Sequence, residues 1–180
     1  ISCAGLACWF GPDANWDLRN YHLYVAWAWL TDRHGVDLLP AQLQTSFNPL
    51  LWLPHFLLFE RLPGTALVAV LGAVHGLCAW PLWIIAGRLL PHAGTATRIF
   101  AVLAGMTASI FLGELGASQG DNLLSLLVLG AVALLLPRPD ERGPRPRQTL
   151  LAGALLGATA AFKLAFAPVT LGLLLALALA

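Results

Sequence analysis

Charge is what this sequence has least of. Only 11% of its 180 residues are Asp, Glu, Lys or Arg, against 58% hydrophobic, and the mean hydropathy is +0.75. Ordinary soluble domains carry about 25% charged residues, so an ordinary water-soluble composition is excluded before any motif is read. Lysine occurs once, at Lys163, and net charge is +1 with no basic cluster interleaved with aromatics, which argues against a nucleic-acid partner. Cysteine is scarce and odd in number. Cys3 and Cys8 lie five apart in one apolar run and Cys78 is remote, so neither a disulfide framework nor metal-type spacing is present, and the three read as small core residues. Missing too are a nucleophilic serine triad, a phosphate-cradling glycine loop, a zinc motif and a dinucleotide fingerprint.

What is present is apolar length. Four long hydrophobic segments stand out, at about 66–90, 98–113, 122–136 and 150–180, besides a first run at 1–10. The expected fold class is all-α, a polytopic transmembrane helical bundle in a single domain. Residues 1–10 form the end of a first helix, 11–64 an extracytoplasmic loop, and 65–180 four membrane helices, the last cut short. The chain begins without Met inside one apolar run and stops inside another, so it reads as a piece of a longer protein. Neither a basic n-region nor a small-residue cleavage site marks a signal peptide.

Residues 11–64 differ in character, holding four of the six Asp, both Tyr and most of the Trp. Within them, 18–33 mixes aromatics and charges at helical spacing, and 48–61 is a short apolar run interrupted by Pro54 and His55. Segments of this kind favour the headgroup boundary, which predicts two helices lying along the membrane surface. Charge gives the topology, because short cytoplasmic loops accumulate Arg and Lys. Arg138, Arg142, Arg145 and Arg147, against Asp140 and Glu141, place 137–148 inside, and Arg88 and Arg98 place 87–98 inside. The turn 114–121 and the segment 11–64 then share the outer face, provided that 48–61 does not cross.

Several residues could carry chemistry there. Asp17, beyond the first helix and among aromatics able to exclude water, is a candidate general base; the competing readings are a helix N-cap and a partner for Arg19. Asp13, beside Gly11 and Pro12, reads as a turn residue. Glu114 lies at the membrane boundary, where an acid is costly, and Asp121 either serves the site or caps the next helix. Lys163 interrupts an otherwise uncharged run. About 13 residues of helix from the cytoplasmic loop place it some 20 Å deep, where an ammonium could hold a phosphate, pair with Glu114 or snorkel to an interface. Pro168 is expected to kink that helix. Asn20, His22 and Asn48 offer hydrogen bonds to a sugar hydroxyl, while His55 and His75 read as internally satisfied.

Trp16-Asp17-Leu18-Arg19-Asn20-Tyr21-His22-Leu23-Tyr24, together with Asp37-Leu38-Leu39-Pro40-Ala41-Gln42-Leu43-Gln44 and Phe47-Asn48-Pro49-Leu50-Leu51, resembles bacterial polytopic glycosyltransferases of the GT-C superfamily. The order of elements resembles that superfamily as well: a helix, an outer loop with an Asp and interfacial helices, then a second acidic turn. The resemblance implies a polyprenyl-phosphate sugar donor, a glycan, lipid or protein acceptor, and transfer on the outer face of a bacterial inner membrane. It maps the catalytic base onto Asp17 and assigns acceptor or metal binding to Glu114 and Asp121. Donor-phosphate binding falls to Lys163, and a divalent cation, if one takes part, to Asp17 and Asp121. One departure is that the resemblance carries Asp where Trp52 stands. Outside this family, the residues also fit a lipid-sugar flippase, with Glu114 and Lys163 paired along a substrate path, or a non-catalytic membrane subunit.

Overall fold

A computed structural model of the chain describes residues 2–38, 40–138, 141 and 143–179, with no side-chain description of Leu179. Ile1, Leu39 of the second motif, Asp140 and Arg142 of the arginine-rich loop, and Ala180 lie outside the described residues. Those residues form an all-helical chain with no strand among them, as the composition predicts. They divide into two compact units, 1–75 with 114–121, and 76–113 with 122–180.

The first unit opens with α1, Cys3–Phe10. The Ser2 side chain accepts the Gly5 N–H at its start, and Gly11 closes it at φ 91°, a conformation that favours glycine. A π-helical turn, Leu18–His22, runs into α2, Leu23–Leu30. Short 3-10 turns at Gln42–Ser46 and Pro49–Leu51 precede α3, Leu53–Phe59. Pro54 lies in the first turn of α3, where no backbone N–H is required, so it starts the helix that it seemed to interrupt. Helices are thus found in both segments, each shorter than its segment and each led by a tighter or wider turn. α4, Gly64–Gly76, crosses α1 at very close range. A Cβ on Gly72 would stand 2.6 Å from the Ala7 Cβ and 2.8 Å from the Cys3 carbonyl oxygen. Ala7, Val68 and Leu115 form the buried cluster beside that crossing. Cys8, expected in a core, is exposed.

The second unit contains α5, Ala79–Leu89, and α6, Thr95–Met106, where a Cβ on Gly105 would stand 3.1 Å from the Leu82 side chain. A short α7, Ser109–Gly113, and α8, Asp121–Leu135, follow in the chain. The Arg88 guanidinium donates to the carbonyls of Ala133 and Leu136, closing the end of α8. α9, Pro146–Phe162, stops at Lys163, whose backbone is extended (φ −145°, ψ 109°). A 3-10 turn, Leu164–Phe166, then leads to α10, Ala167–Leu179.

This corrects the single last span expected over 150–180. Pro168 cannot donate to the carbonyl of Leu164 and its ring would clash there, so the helix breaks upstream of Pro168, which itself sits in the first turn of α10. α10 doubles back on α9. The Thr170 hydroxyl donates to the Leu156 carbonyl at 3.2 Å, Leu173 and Leu177 pack on the cluster of Ala131, Leu135, Ala152 and Leu156, and Leu177 shares an apolar groove with Leu150.

Among the described residues one helical run, Gly64–Leu89, is long and apolar enough to cross a membrane, at 26 residues and a mean hydropathy of 1.9. The other apolar helices, at Thr95–Met106, Asp121–Leu135 and Leu164–Ala178, fall short of the roughly 20 residues that a hydrocarbon core requires.

Candidate functional site

The second acidic segment, 114–121, belongs to the same compact unit as the first loop, and Ser118 is where the two are joined. Gly116 and Gly120 lie on either side of Ser118 at φ +80° and +79°, which lets the chain turn tightly against Ala7, Val68 and Leu51. Ser118 is 4% exposed. Its N–H donates to the Asp13 carboxylate at 2.7 Å, its hydroxyl lies 2.7 Å from His22 Nδ1, and its carbonyl accepts from Trp52 Nε1 at 3.2 Å. Three separate parts of the first loop therefore meet on one serine.

Asp13 is accordingly more than a turn residue. It also accepts from the Asn15 N–H and side-chain amide, both at 2.9 Å. Burial pushes its carboxyl up, but the hydrogen bonds from Asn15 and Ser118 outweigh burial and hold it below its ordinary value. Beside it, Asp13 and His55 line a small cavity of about 50 Å³. His55 is buried and its Nδ1 has no hydrogen-bond partner, contrary to the expectation that it is internally satisfied. Burial pulls His55 below its ordinary value, with the Asp13 charge opposing. His75 behaves as expected, its Nδ1 accepting the Gly116 N–H at 3.1 Å.

The sequence-predicted residues divide. Asp17 is half-buried and its side chain caps no helix, which removes the N-cap reading. One helical turn on, Tyr21 is 8% exposed. Burial first, then the nearby Asp17 and Asp121 carboxylates, push the Tyr21 phenol up to about 12. The two acids singled out from segments far apart in sequence thus both act on one phenol. Asp121 opens α8, where its charge also complements the helix N-terminus. Glu114 is half-buried in the turn that precedes Ser118.

The other candidates are placed differently. His22 is wholly enclosed, stacked on Trp52 at 4.7 Å and 17°, so it is not presented to a sugar hydroxyl and instead anchors Ser118. Asn48 accepts the Leu50 N–H at 3.0 Å, capping the turn at Pro49–Leu51, and Asn20 donates to the Trp16 carbonyl at 2.7 Å. Lys163 belongs to the second unit, at the bend between α9 and α10. Trp52, 2% exposed, is stacked between His22 and Phe47. An indole therefore fills the position where the resemblance carries an acid.

Among the described residues no group of three or more His, Cys, Asp and Glu is arranged to hold a metal ion.

The residues that sequence reasoning missed are Tyr21, Ser118 and the long-range role of Asp13. Only the glycines around Ser118 hinted at a turn built for close approach. Comparison with known protein families, curated proteins and solved structures finds no match.

Proposed function

We propose that the chain is part of a polytopic membrane glycosyltransferase that moves a sugar from a polyprenyl-phosphate donor to an acceptor hydroxyl on the extracytoplasmic face of a bacterial inner membrane. The observation that carries this reading is the junction at Ser118, which ties the first loop to the second acidic segment and so puts Asp17, which caps no helix, and Asp121 in one compact unit. The resemblance of the motif around Asp17 and the scarcity of charge support it. Helices too short to span alone would cross as members of a larger bundle, with α2 and α3 at the headgroup boundary.

In this reading Asp17 accepts the proton of the acceptor hydroxyl as its oxygen bonds to the anomeric carbon. The bond from that carbon to the phosphate oxygen breaks, and the lipid phosphate leaves with the electron pair. A single displacement inverts the anomeric configuration. The acceptor is a glycan, a lipid or a protein. Lys163 remains the candidate for steadying charge on the departing phosphate.

The test is transfer of labelled sugar from a panel of polyprenyl-phosphate sugars by the protein in lipid. Asp17→Asn should abolish product while leaving the fold intact, and unchanged turnover would remove Asp17 from the mechanism. The reversal of the chain at Lys163 favours a second reading, a lipid-sugar transporter, because helix breaks at membrane depth often line substrate paths. Movement of labelled lipid-linked sugar across vesicles, with no transfer from any donor, would select it.

A further inference from the structure

The small cavity of about 50 Å³ beside the Ser118 junction is walled by parts of the chain far apart in sequence: Asp13 of the first loop, His55 of α3, Leu67 and Val68 of α4, and Gly116 of the second acidic segment. All of them belong to the first unit. Among the described residues that line it, only Asp13 and His55 carry polar side chains. His55 is 7% exposed, and its Nδ1 has no hydrogen-bond partner among the described residues. A buried ring nitrogen left without a bond is costly, and native folds satisfy such atoms with protein groups or ordered water. Asp13 has capacity to share. Its Oδ2 receives the Asn15 side-chain amide and the Ser118 N–H, while Oδ1 receives the Asn15 N–H and can accept again.

We propose that this cavity binds a water molecule, held on His55 Nδ1 and on the Asp13 carboxylate, which ties α3 to the Ser118 junction. A water needs about 10–15 Å³ and at least two polar partners, and the cavity supplies the space and the pair. Ligand pockets run to about 300–1,000 Å³, so anything of metabolite size is excluded. Water also suits the donor and acceptor pattern. A bare Nδ1 and a carboxylate are both acceptors, so neither can bond the other, and one molecule with two O–H groups serves both. With the other tautomer the water accepts from the Nδ1 proton and still donates to Asp13. Burial pulls His55 below its ordinary value with the Asp13 charge opposing, so near neutral pH the ring is uncharged and stands in the field of that carboxylate. The junction thereby gains a fourth link. Asp13, His22 and Trp52 are bonded to Ser118 directly, and His55 reaches it through water and Asp13. The site belongs to the fold and does not rest on the glycosyl-transfer reading.

The test is methyl NMR on the full chain in lipid nanodiscs. Leu67 and Val68, 6% and 3% exposed, are shielded from bulk solvent, so magnetisation passing from water to their methyls reports water inside the fold. Wild type should show those cross peaks. His55→Phe keeps a ring of similar size without the nitrogen, and Asp13→Ala removes the carboxylate; each should lose them. Apolar cavities stay dry and take up xenon. Xenon pressure should therefore move the Leu67 and Val68 methyl shifts in His55→Phe and leave them in place in wild type, any general effect of dissolved xenon being common to both. Absent cross peaks in wild type, or xenon shifts there as large as in the variant, would show a dry cavity and overturn the proposal. Cross peaks that survive either substitution overturn the bridge, because the water would not depend on that partner. Should a variant fail to fold, the two wild-type readings decide by themselves.

Discussion

The segments that carry the acids are cross-linked by polar side chains, while the hairpin around Lys163 is held by apolar packing. In the first region Ser118 alone is hydrogen-bonded to Asp13, His22 and Trp52. In the second, α9 and α10 pack Leu173 and Leu177 on Ala131, Leu135, Ala152 and Leu156, with the Thr170 hydroxyl as a polar contact between them. Directional bonds fix side chains to fractions of an ångström, and apolar packing tolerates sliding. The junction that ties the first loop to the second acidic segment is of the former kind, and the hairpin of the latter.

The largest break to that comparison should come from Gly72→Leu. With 2.6 Å to the Ala7 Cβ and backbone atoms of α1 close behind, no rotamer avoids the clash. Loss of about 3 kcal/mol is expected in denaturant unfolding followed by tryptophan fluorescence, and an unaffected midpoint would mean that α1 is not packed on α4.

Next in size, Ser118→Ala should cost about 1–3 kcal/mol because it strips His22 Nδ1 of its buried hydroxyl partner, while the backbone bond to Asp13 survives. Thr170→Val, the matching change in the hairpin, should cost about 0.6 kcal/mol, the average measured for hydrogen bonds between membrane helices. Equal costs would erase the distinction between the regions.

The smallest effect is one of pH. Since burial holds His55 below its ordinary value of 6.5, the folded chain binds fewer protons than the unfolded chain just below that pH. Stability from this source is full above pH 6.5 and declines as pH falls toward the folded value. The lowered Asp13 carboxyl contributes only further down, below its ordinary 3.8. Thermal unfolding of His55→Phe should therefore be flatter than wild type between about pH 6.5 and 5. Parallel curves would show that His55 does not titrate in the fold.

How legible each feature was follows from how local its cause is. Apolar runs act within a few residues, so the helical class was readable in advance; Pro54, read as an interruption, instead starts α3. The break at Lys163 was readable in principle, since Pro168 forbids the bond to Leu164, yet a kink at the proline was the nearer reading. The Ser118 junction was not, because nothing in the Gly116-Ala117-Ser118-Gln119-Gly120 stretch says which distant loop it meets. His22 shows the same limit from the other side: its residue type suggested a sugar ligand, and only the stack on Trp52 shows it enclosed. The four expected spans were inferred from hydropathy, which measures composition and not helix length, and among the described residues one run alone meets both.

The doubling back of α10 along α9 also changes how the chain is counted. A path that goes out and returns has made no net passage, whatever medium surrounds it. Lys163 marks the turning point of the excursion, between the end of α9 and the turn that leads into α10.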